Sequence, residues 1–464
     1  MIDEADLLGD GPPAAPDLSH CTAATRNACK LCTPLGACLV FRGVRGALPF
    51  LHGSQGCSTY IRRYLISHFR EPMDIAASNF SEDTAVFGGE KNLLAGMANV
   101  TRQYEPEMIG LATTCLSETI GEDMPALVQK CQENIAGLPP VVHVSTASYR
   151  GSHIDGFHDA VSALVSQLVT TALPHGTLNL LPGMVSTADL RHLRDLVISF
   201  GLEVTMLPDY SDTLDGSTWA DYEALPSGGT PVAAIRTMSG ARATLELGDS
   251  LRGNPKSAAS MLESRFGVEK ISLTLPVGIQ ATDEFIAELS RLSGRDIPTD
   301  ITSERGRLID SMVDAHKIVF GKRAVVFGEA DLVIGLTSFL CEIGVQPVLC
   351  VCGGKINHFD TCLRAAVPEL PADTIIRNGA DFADITHETR QLTPDLLIGN
   401  SKGYGLAREL DIPLIRTGFP IHDRIGGQRV LHVGYRGAQA IFDDLANTLL
   451  ARKQQTSTIG YSYL

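Results

Sequence analysis

The stretch KRAVVFGEADLVIGLTSFLCEIGVQPVLCV, residues 322–351, contains the pattern that decides the fold. The short apolar run Ala324–Phe327 predicts a strand, and Gly328 opens the turn that follows it. Leu332–Ile343 then predicts a helix and Gln346–Val351 a second strand. A short hairpin joins antiparallel strands, whereas parallel strands need a longer crossover such as a helix. Two strands joined through a helix are therefore expected to be parallel. The stretch therefore predicts a β–α–β unit of an α/β protein.

The same alternation occurs in at least two other parts of the chain, around residues 100–150 and 177–207. Their separation predicts three domains, each a mainly parallel sheet flanked by helices, rather than one large sheet. The predicted elements outside 322–351 are strand Glu107–Ala112, a helix from about Glu118, strand Thr177–Leu181, helix Thr187–Phe200, strand Glu203–Leu207 and strand Asp395–Ile398. The predicted organisation is a flexible leader 1–19 and domains 20–150, 151–315 and 316–464, the last with a C-terminal segment that packs back on the first domain.

Composition limits the function. The chain has 464 residues, with 38 basic against 53 acidic side chains and a formal charge of −15. An acidic protein lacks the basic face that phosphate contacts need, so we expect no nucleic-acid partner. No apolar stretch approaches the roughly 20 residues of a membrane-spanning helix. We therefore expect no membrane partner and a cytoplasmic location, where the cysteines would not form a disulfide framework.

Three cysteines lie where chemistry is expected. Cys32 precedes a predicted helix, Cys57 ends a glycine-bearing loop, and Cys115 directly follows a predicted strand. These positions predict three thiols on three strand-to-helix loops of one domain. In α/β proteins ligands bind at the carboxyl ends of strands, and thiolates on strand-to-helix loops are typical iron–sulfur ligands. The alternative is that these are three buried, inert cysteines, and spacing alone leaves both open. The remaining downstream cysteines are predicted to be core residues, namely Cys131, Cys341, Cys350, Cys352 and Cys362.

Several short motifs, in one order along nearly the whole chain, resemble the β-type subunits of nitrogenase component 1. They are Cys32–Ala37 (CTPLGA), His52–Cys57 (HGSQGC), His68–Pro72 (HFREP), Phe87–Gly89 (FGG), Thr113–Cys115 (TTC), Glu118–Asp123 (ETIGED), Gly151–His153 (GSH), Gly418–Ile421 (GFPI), Asp423–Arg424 (DR) and Gly434–Gly437 (GYRG).

This resemblance implies three Rossmann-like domains and an α2β2 complex with an α-type partner, which is NifD-like or NifE-like. It also implies an iron–sulfur cluster shared with that partner, either [4Fe-4S] or P-cluster-like [8Fe-7S], and electrons from an ATP-dependent, NifH-like iron protein. Cys32, Cys57 and Cys115 match the cluster ligands of the β side. Ser148 matches a serine that can ligate an oxidised P-cluster, although a role as a helix or turn cap is at least as plausible.

Within this family the motifs lead us to expect the NifN-like scaffold branch. Ser58–Arg63 (STYIRR), Asn27–Cys32 (NACKLC) and His422–Arg429 (HDRIGGQR) resemble NifN-type chains. The partner would then hold a precursor of the iron-molybdenum cofactor transiently, and no residue of this chain would be catalytic. The alternative is a catalytic, NifK-like β subunit or a subunit of another nitrogenase-like reductase, and the presence of all three cysteines favours it.

Overall fold

The computed structural model describes residues 28–218, 221 and 223–459, and the predicted leader 1–19 lies outside these residues. The described chain folds into three separate sheets in which every strand pair is parallel. The predicted α/β class is confirmed. Each sheet falls within one of the three predicted domain ranges, whose boundaries remain predictions. No helix in the described residues is long and apolar enough to cross a bilayer.

The first sheet has four strands in the order β2-β1-β3-β4. Helix α5 begins at Cys115, so the predicted start near Glu118 is wrong; Thr114 and Ser117 form a reciprocal capping box that starts the helix earlier. The elements are α1 (Thr33–Arg42), β1 (Ala47–His52), α2 (Gln55–Phe69), β2 (Ala76–Ala77), α3 (Glu82–Phe87), α4 (Glu90–Tyr104), β3 (Met108–Thr113), α5 (Cys115–Thr119), α6 (Met124–Asn134), β4 (Val141–Val144) and α7 (His153–Leu168).

The second sheet has the strand order β6-β5-β7-β8. It confirms the two strands and the helix predicted between residues 177 and 207, with ends that shift by a residue. The elements are β5 (Leu178–Leu181), α8 (Thr187–Ser199), β6 (Val204–Met206), α9 (Val232–Arg236), β7 (Ala243–Leu247), α10 (Ala258–Phe266), β8 (Glu269–Leu273), α11 (Gln280–Ser293) and α12 (Thr299–Val319).

The third sheet has five strands in the order β11-β10-β9-β12-β13, and its β9-α13-β10 unit confirms the β–α–β unit predicted from residues 322–351. Helix α13 is buried over nearly its whole length, as the absence of a polar face in its sequence requires. The elements are β9 (Arg323–Gly328), α13 (Ala330–Glu342), β10 (Gln346–Cys352), α14 (Phe359–Ala366), β11 (Ile375–Asn378), α15 (Phe382–Leu392), β12 (Leu396–Gly399), α16 (Tyr404–Glu409), β13 (Leu414–Arg416) and α17 (Gly434–Thr456).

Two glycines allow α1 and α7 to pack with their backbones almost touching. A Cβ atom on Gly36 would lie 1.8 Å from the carbonyl oxygen of His153, and one on Gly156 would lie 1.9 Å from that of Thr33. Only glycine leaves room for such an approach. The contact matters for the site described below, because Cys32 caps the N-terminus of α1.

Gly36→Ala is expected to destabilise the chain by about 1–3 kcal/mol or more, since the added methyl group forces α1 away from α7. Urea unfolding measures the loss as a lower midpoint. Gly306→Ala is the matched control: Gly306 lies exposed on α12, and a Cβ there has no atom within 4 Å. An equal midpoint for Gly36→Ala and Gly306→Ala would contradict the role of the close helix contact.

Candidate metal centre

Two of the three predicted thiols follow neighbouring strands of the first sheet. His52 at the end of β1 pairs with Thr113 at the end of β3, so the two strands finish level with each other. Cys115 is the first residue of α5, and Cys57 lies in the first turn of α2 rather than in the preceding loop. The two segments touch: a Cβ on Gly53 would lie 2.0 Å from Thr114 Oγ1. The parallel register therefore brings Cys57 and Cys115 to one edge of the sheet.

Cys32 reaches the same edge by a different route. It is the N-cap residue of α1, and no strand precedes it in the described residues, so the prediction of three strand-to-helix loops is wrong for this thiol. Ser148 links the Cys32 segment to Cys115. The Ser148 hydroxyl accepts a hydrogen bond from the Thr33 amide at 3.2 Å, and the Ser148 amide donates to Cys115 Sγ at 3.2 Å.

The structure shows the capping role that was the alternative for Ser148, since its hydroxyl accepts from the Thr33 amide in the first turn of α1. A hydroxyl oxygen has two lone pairs, so the cap leaves one of them available. The structure thus brings all four predicted ligand residues, Cys32, Cys57, Cys115 and Ser148, into one neighbourhood. Their role as metal ligands stays a prediction.

The electrostatics agree with this proximity. Burial raises the pKa of the half-buried Cys57 thiol, the Ser54 hydroxyl opposes that rise, and Cys32 and Cys115 add to it as neighbouring thiols. Cys32 and Cys115 are themselves exposed. The N-termini of α1 and α2, which carry Cys32 and Cys57, favour negative charge on sulfur. Cys57 is therefore close enough to Cys32 and Cys115 to be influenced by them, and those two cysteines are exposed.

The geometry favours one class of metal group over another. In the described ranges, 28–218 and 223–459, no three side chains of His, Cys, Asp or Glu converge as they would around a single metal ion. A mononuclear zinc site needs four ligands around one point. In an iron–sulfur cluster, by contrast, each thiolate binds a different iron. A set of three separated thiols with an amide N–H on one sulfur fits such a cluster.

Glu118 connects the ends of two strands at this edge, a role that its motif did not reveal. Its carboxylate accepts hydrogen bonds from Thr113 Oγ1 and Ser145 Oγ, both at 2.6 Å, and so joins the ends of β3 and β4. His52 is fully buried, with Nδ1 3.0 Å from Ser78 Oγ, so it faces the interior of the domain. The polar residues that border strands β1 and β3 therefore hold the loops in place.

Apolar side chains of the domain that carries this edge are also exposed. Phe87 and Val86 have exposed fractions of 85% and 73%, and Tyr149, Tyr60 and Leu116 are also exposed. Tyr149 follows Ser148 and Leu116 follows Cys115 in the chain. Clustered exposed apolar side chains mark protein interaction sites.

Three of the five downstream cysteines lie in the interior of the protein, and the other two are half-buried. Cys131, Cys350 and Cys352 are buried, and burial raises the pKa of the Cys131 thiol to about 11 and that of Cys350 to about 12. A thiol that stays protonated is a poor metal ligand. Cys341 and Cys362, in α13 and α14, are half-buried and pack against the edge of the main core. The predicted core assignment is confirmed for the first three and holds in part for the other two.

The fold and site together define an α/β protein of three parallel sheets, with outward-facing thiols at the carboxyl edge of the first sheet. Residues 32–450 match the family described as "Nitrogenase component 1 type Oxidoreductase". The chain is 36% identical over 437 residues to the nitrogenase molybdenum-iron protein beta chain of Clostridium pasteurianum, covering 93% of this chain and 94% of that one. The corresponding chain of Methanococcus maripaludis is 34% identical, with 93% and 96% covered.

A solved structure, "Nitrogenase Cp1 at pH 6.5", superposes with a TM-score of 0.91 at 34% identity, covering 95% of this chain and 97% of that one. The chain therefore belongs to the nitrogenase component 1 family. Within that family it is of the β-chain type, as its relatives are. The family resemblance predicted from the motifs is confirmed at this level.

Proposed function

We propose that this chain contributes Cys32, Cys57 and Cys115 to an iron–sulfur cluster shared with an α-type partner chain in an α2β2 complex. The observation that carries the proposal is the grouping of three thiols, two of them exposed, with the Ser148 amide directed at Cys115 Sγ. A centre with three thiolates from one chain needs further ligands from a second. Ser148 is a further ligand through its hydroxyl oxygen.

A bound cluster supplies one-electron transfer. The chain's own residues hold the sulfurs in place, and the Ser148 amide stabilises the charge on Cys115 Sγ. The N-termini of α1 and α2 add further stabilisation to thiolates at Cys32 and Cys57. Coverage by a partner would exclude water from this edge, and both burial and hydrogen bonds to sulfur tune a cluster's potential.

The exposed Val86–Phe87 pair supports docking of an iron protein that delivers electrons. The pair ends helix α3, on the same domain as the three thiols, and the side chain of Phe87 is 85% exposed. An exposed apolar surface on the domain that carries the thiols suits a partner that binds transiently and transfers electrons. We infer a NifH-like, ATP-dependent partner for it.

For the complex as a whole we propose the scaffold function, in which a NifE-like α-type partner holds an iron-molybdenum cofactor precursor while it is matured. The NifN-type motif Ser58–Arg63 supports it; the motif lies in α2 directly after Cys57, and its Thr59, Tyr60, Arg62 and Arg63 are exposed. The second candidate is a catalytic β subunit. The retention of all three thiols and the molybdenum-iron protein names of the relatives favour that candidate.

One assay separates the two functions. The complex with its α-type partner is purified without oxygen, analysed for iron and sulfide, and then assayed for dinitrogen reduction with iron protein, ATP and a reductant. We expect iron and sulfide to be present and dinitrogen reduction to be absent. Sustained dinitrogen reduction would refute the scaffold function and establish the catalytic one. A complex without iron or sulfide would refute the cluster itself.

A further inference from the structure

The segment Ala28–Leu31 lies across the carboxyl edge of the third sheet. The candidate cluster residues, by contrast, lie at the edge of the first sheet. In an open α/β sheet, ligands bind at the carboxyl edge, where the strand order reverses. In the third sheet the reversal lies between β9 and β12, because β10 and β11 follow β9 on one side of the sheet and β12 and β13 lie on the other side. The chain's own N-terminal segment, rather than open space, meets the loops that follow these strands.

Each of four strands contributes a contact through the loop at its carboxyl end. After β11, Asp381 forms an antiparallel bridge with Ala28. After β12, Lys402 donates from Nζ to the Ala28 carbonyl oxygen at 2.7 Å. After β10, a Cβ on Gly353 would lie 2.3 Å from the Cys29 carbonyl oxygen, so the backbones touch there.

The fourth contact runs from β9 through a buried histidine. Leu31 and His153 exchange two hydrogen bonds: the Leu31 amide donates to His153 Nδ1 at 3.2 Å, and the His153 amide donates to the Leu31 carbonyl at 3.0 Å. Because Nδ1 accepts, the ring proton of a neutral His153 lies on Nε2, which is 3.3 Å from Glu329 Oε1. The side chains of His153 and Glu329 are only 4% and 7% exposed.

We propose that the third domain sets the position of Cys32. Its Lys402 and Glu329, the latter through His153 at the start of α7, act as positioning residues for a cluster ligand on the first domain. Cys32 directly follows residues 28–31, which these four contacts hold, and it is the N-cap residue of α1. A shift of residues 28–31 therefore moves its sulfur relative to Cys57 and Cys115. These four contacts, here called the clamp, fix the chain before Cys32, and the packing of α1 on α7 fixes the chain after it. This inference rests on the proposed cluster function.

Lys402→Met tests the clamp, because it keeps the length of the side chain and removes the donor. Two quantities are measured on the complex with its α-type partner: amide hydrogen exchange of residues 28–32, and the EPR spectrum and midpoint potential of the iron–sulfur centre. We expect exchange in the segment to rise about tenfold, as the loss of one partly buried hydrogen bond implies. The EPR spectrum and potential should change with it.

Lys402→Arg should leave both readouts closer to wild type than Lys402→Met does, since arginine keeps a donor at this position. Lys322→Met is the matched control: Lys322 pairs with Asp395 at 3.3 Å beside the start of β9, at the opposite edge of the same sheet. It should leave both readouts unchanged. Gly353→Ala is the second variant, since its methyl group meets the Cys29 backbone, and it should change both readouts in the same direction as Lys402→Met.

The inference is overturned if Lys402→Met and Gly353→Ala fold and leave the exchange of residues 28–32 at the wild-type rate. It is also overturned if exchange rises while the EPR spectrum and potential stay the same, because the segment would then be clamped without affecting Cys32. An iron-free wild-type complex would instead refute the proposed cluster. Exchange is read without iron, so the two failures are distinguishable.

Discussion

Cys57→Ala is expected to remove most of the iron from the purified complex. Cys57 is close to both other candidate ligands: burial raises the pKa of its thiol, the Ser54 hydroxyl opposes that rise, and Cys32 and Cys115 add to it. It also lies in the first turn of α2, so the helix fixes the backbone that carries its sulfur. Iron and labile sulfide, measured per complex after anaerobic purification, give the result directly.

Cys362→Ala is the control for this experiment. Cys362 is half-buried like Cys57, but it lies in α14 of the third domain, with its thiol 3.7 Å from the Asp249 carbonyl oxygen. Its removal should leave the iron content at the wild-type value. If the two variants retained the same iron as wild type, the assignment of Cys57 as a ligand would be wrong.

The sequence predicts the architecture well because parallel sheets leave a strong local signal. Strands such as Ala324–Phe327 are buried on both faces and therefore appear as continuous apolar runs, and their helices follow at short distances. The three sheets and the β9-α13-β10 unit follow from this pattern. Helix starts are harder to predict, because a capping box such as Thr114–Ser117 moves the start of α5 from about Glu118 to Cys115 without changing the apolar pattern.

The site is predictable only in part. Motifs identify Cys57 and Cys115, since both follow strands whose parallel register brings them together. They do not reveal how Cys32 reaches the same edge, because its position depends on contacts far apart in sequence. The close approach of Gly36 to His153 and the hydrogen bond from Leu31 to His153 both span more than a hundred residues. Such contacts have no periodic signature.

The second large effect is expected at the buried pair Asp189–His432, which joins α8 to the segment before α17. Asp189 is fully buried, and its carboxylate accepts the His432 amide at 2.6 Å, the Val433 amide at 3.1 Å and the Ser186 amide at 3.0 Å. His432 Nδ1 lies 2.8 Å from Asp189 Oδ2. Burial raises the pKa of Asp189, but His432 and the backbone amides outweigh that effect and hold the pKa below its ordinary value.

Asp189→Asn should therefore destabilise the chain by about 3–5 kcal/mol, the usual result of removing one partner of a buried pair. A folded pKa below the unfolded value of about 3.9 means that the carboxylate stabilises the fold fully above about pH 4 and loses this contribution as the pH falls through the folded pKa. The difference in unfolding free energy between wild type and variant should accordingly be constant at neutral pH and shrink in acid. Urea midpoints at several pH values measure both effects.

Asp411→Asn provides the matched comparison for Asp189→Asn. Asp411 is 90% exposed, pairs with Arg452 at 3.3 Å, and has a positive φ of 51° that asparagine tolerates well. A surface pair of this kind contributes little, so the midpoint should stay close to wild type. A similar loss in both variants would mean that the effect of Asp189→Asn arises from net charge. A loss confined to Asp189→Asn ties the C-terminal segment before α17 to the second sheet through one buried carboxylate.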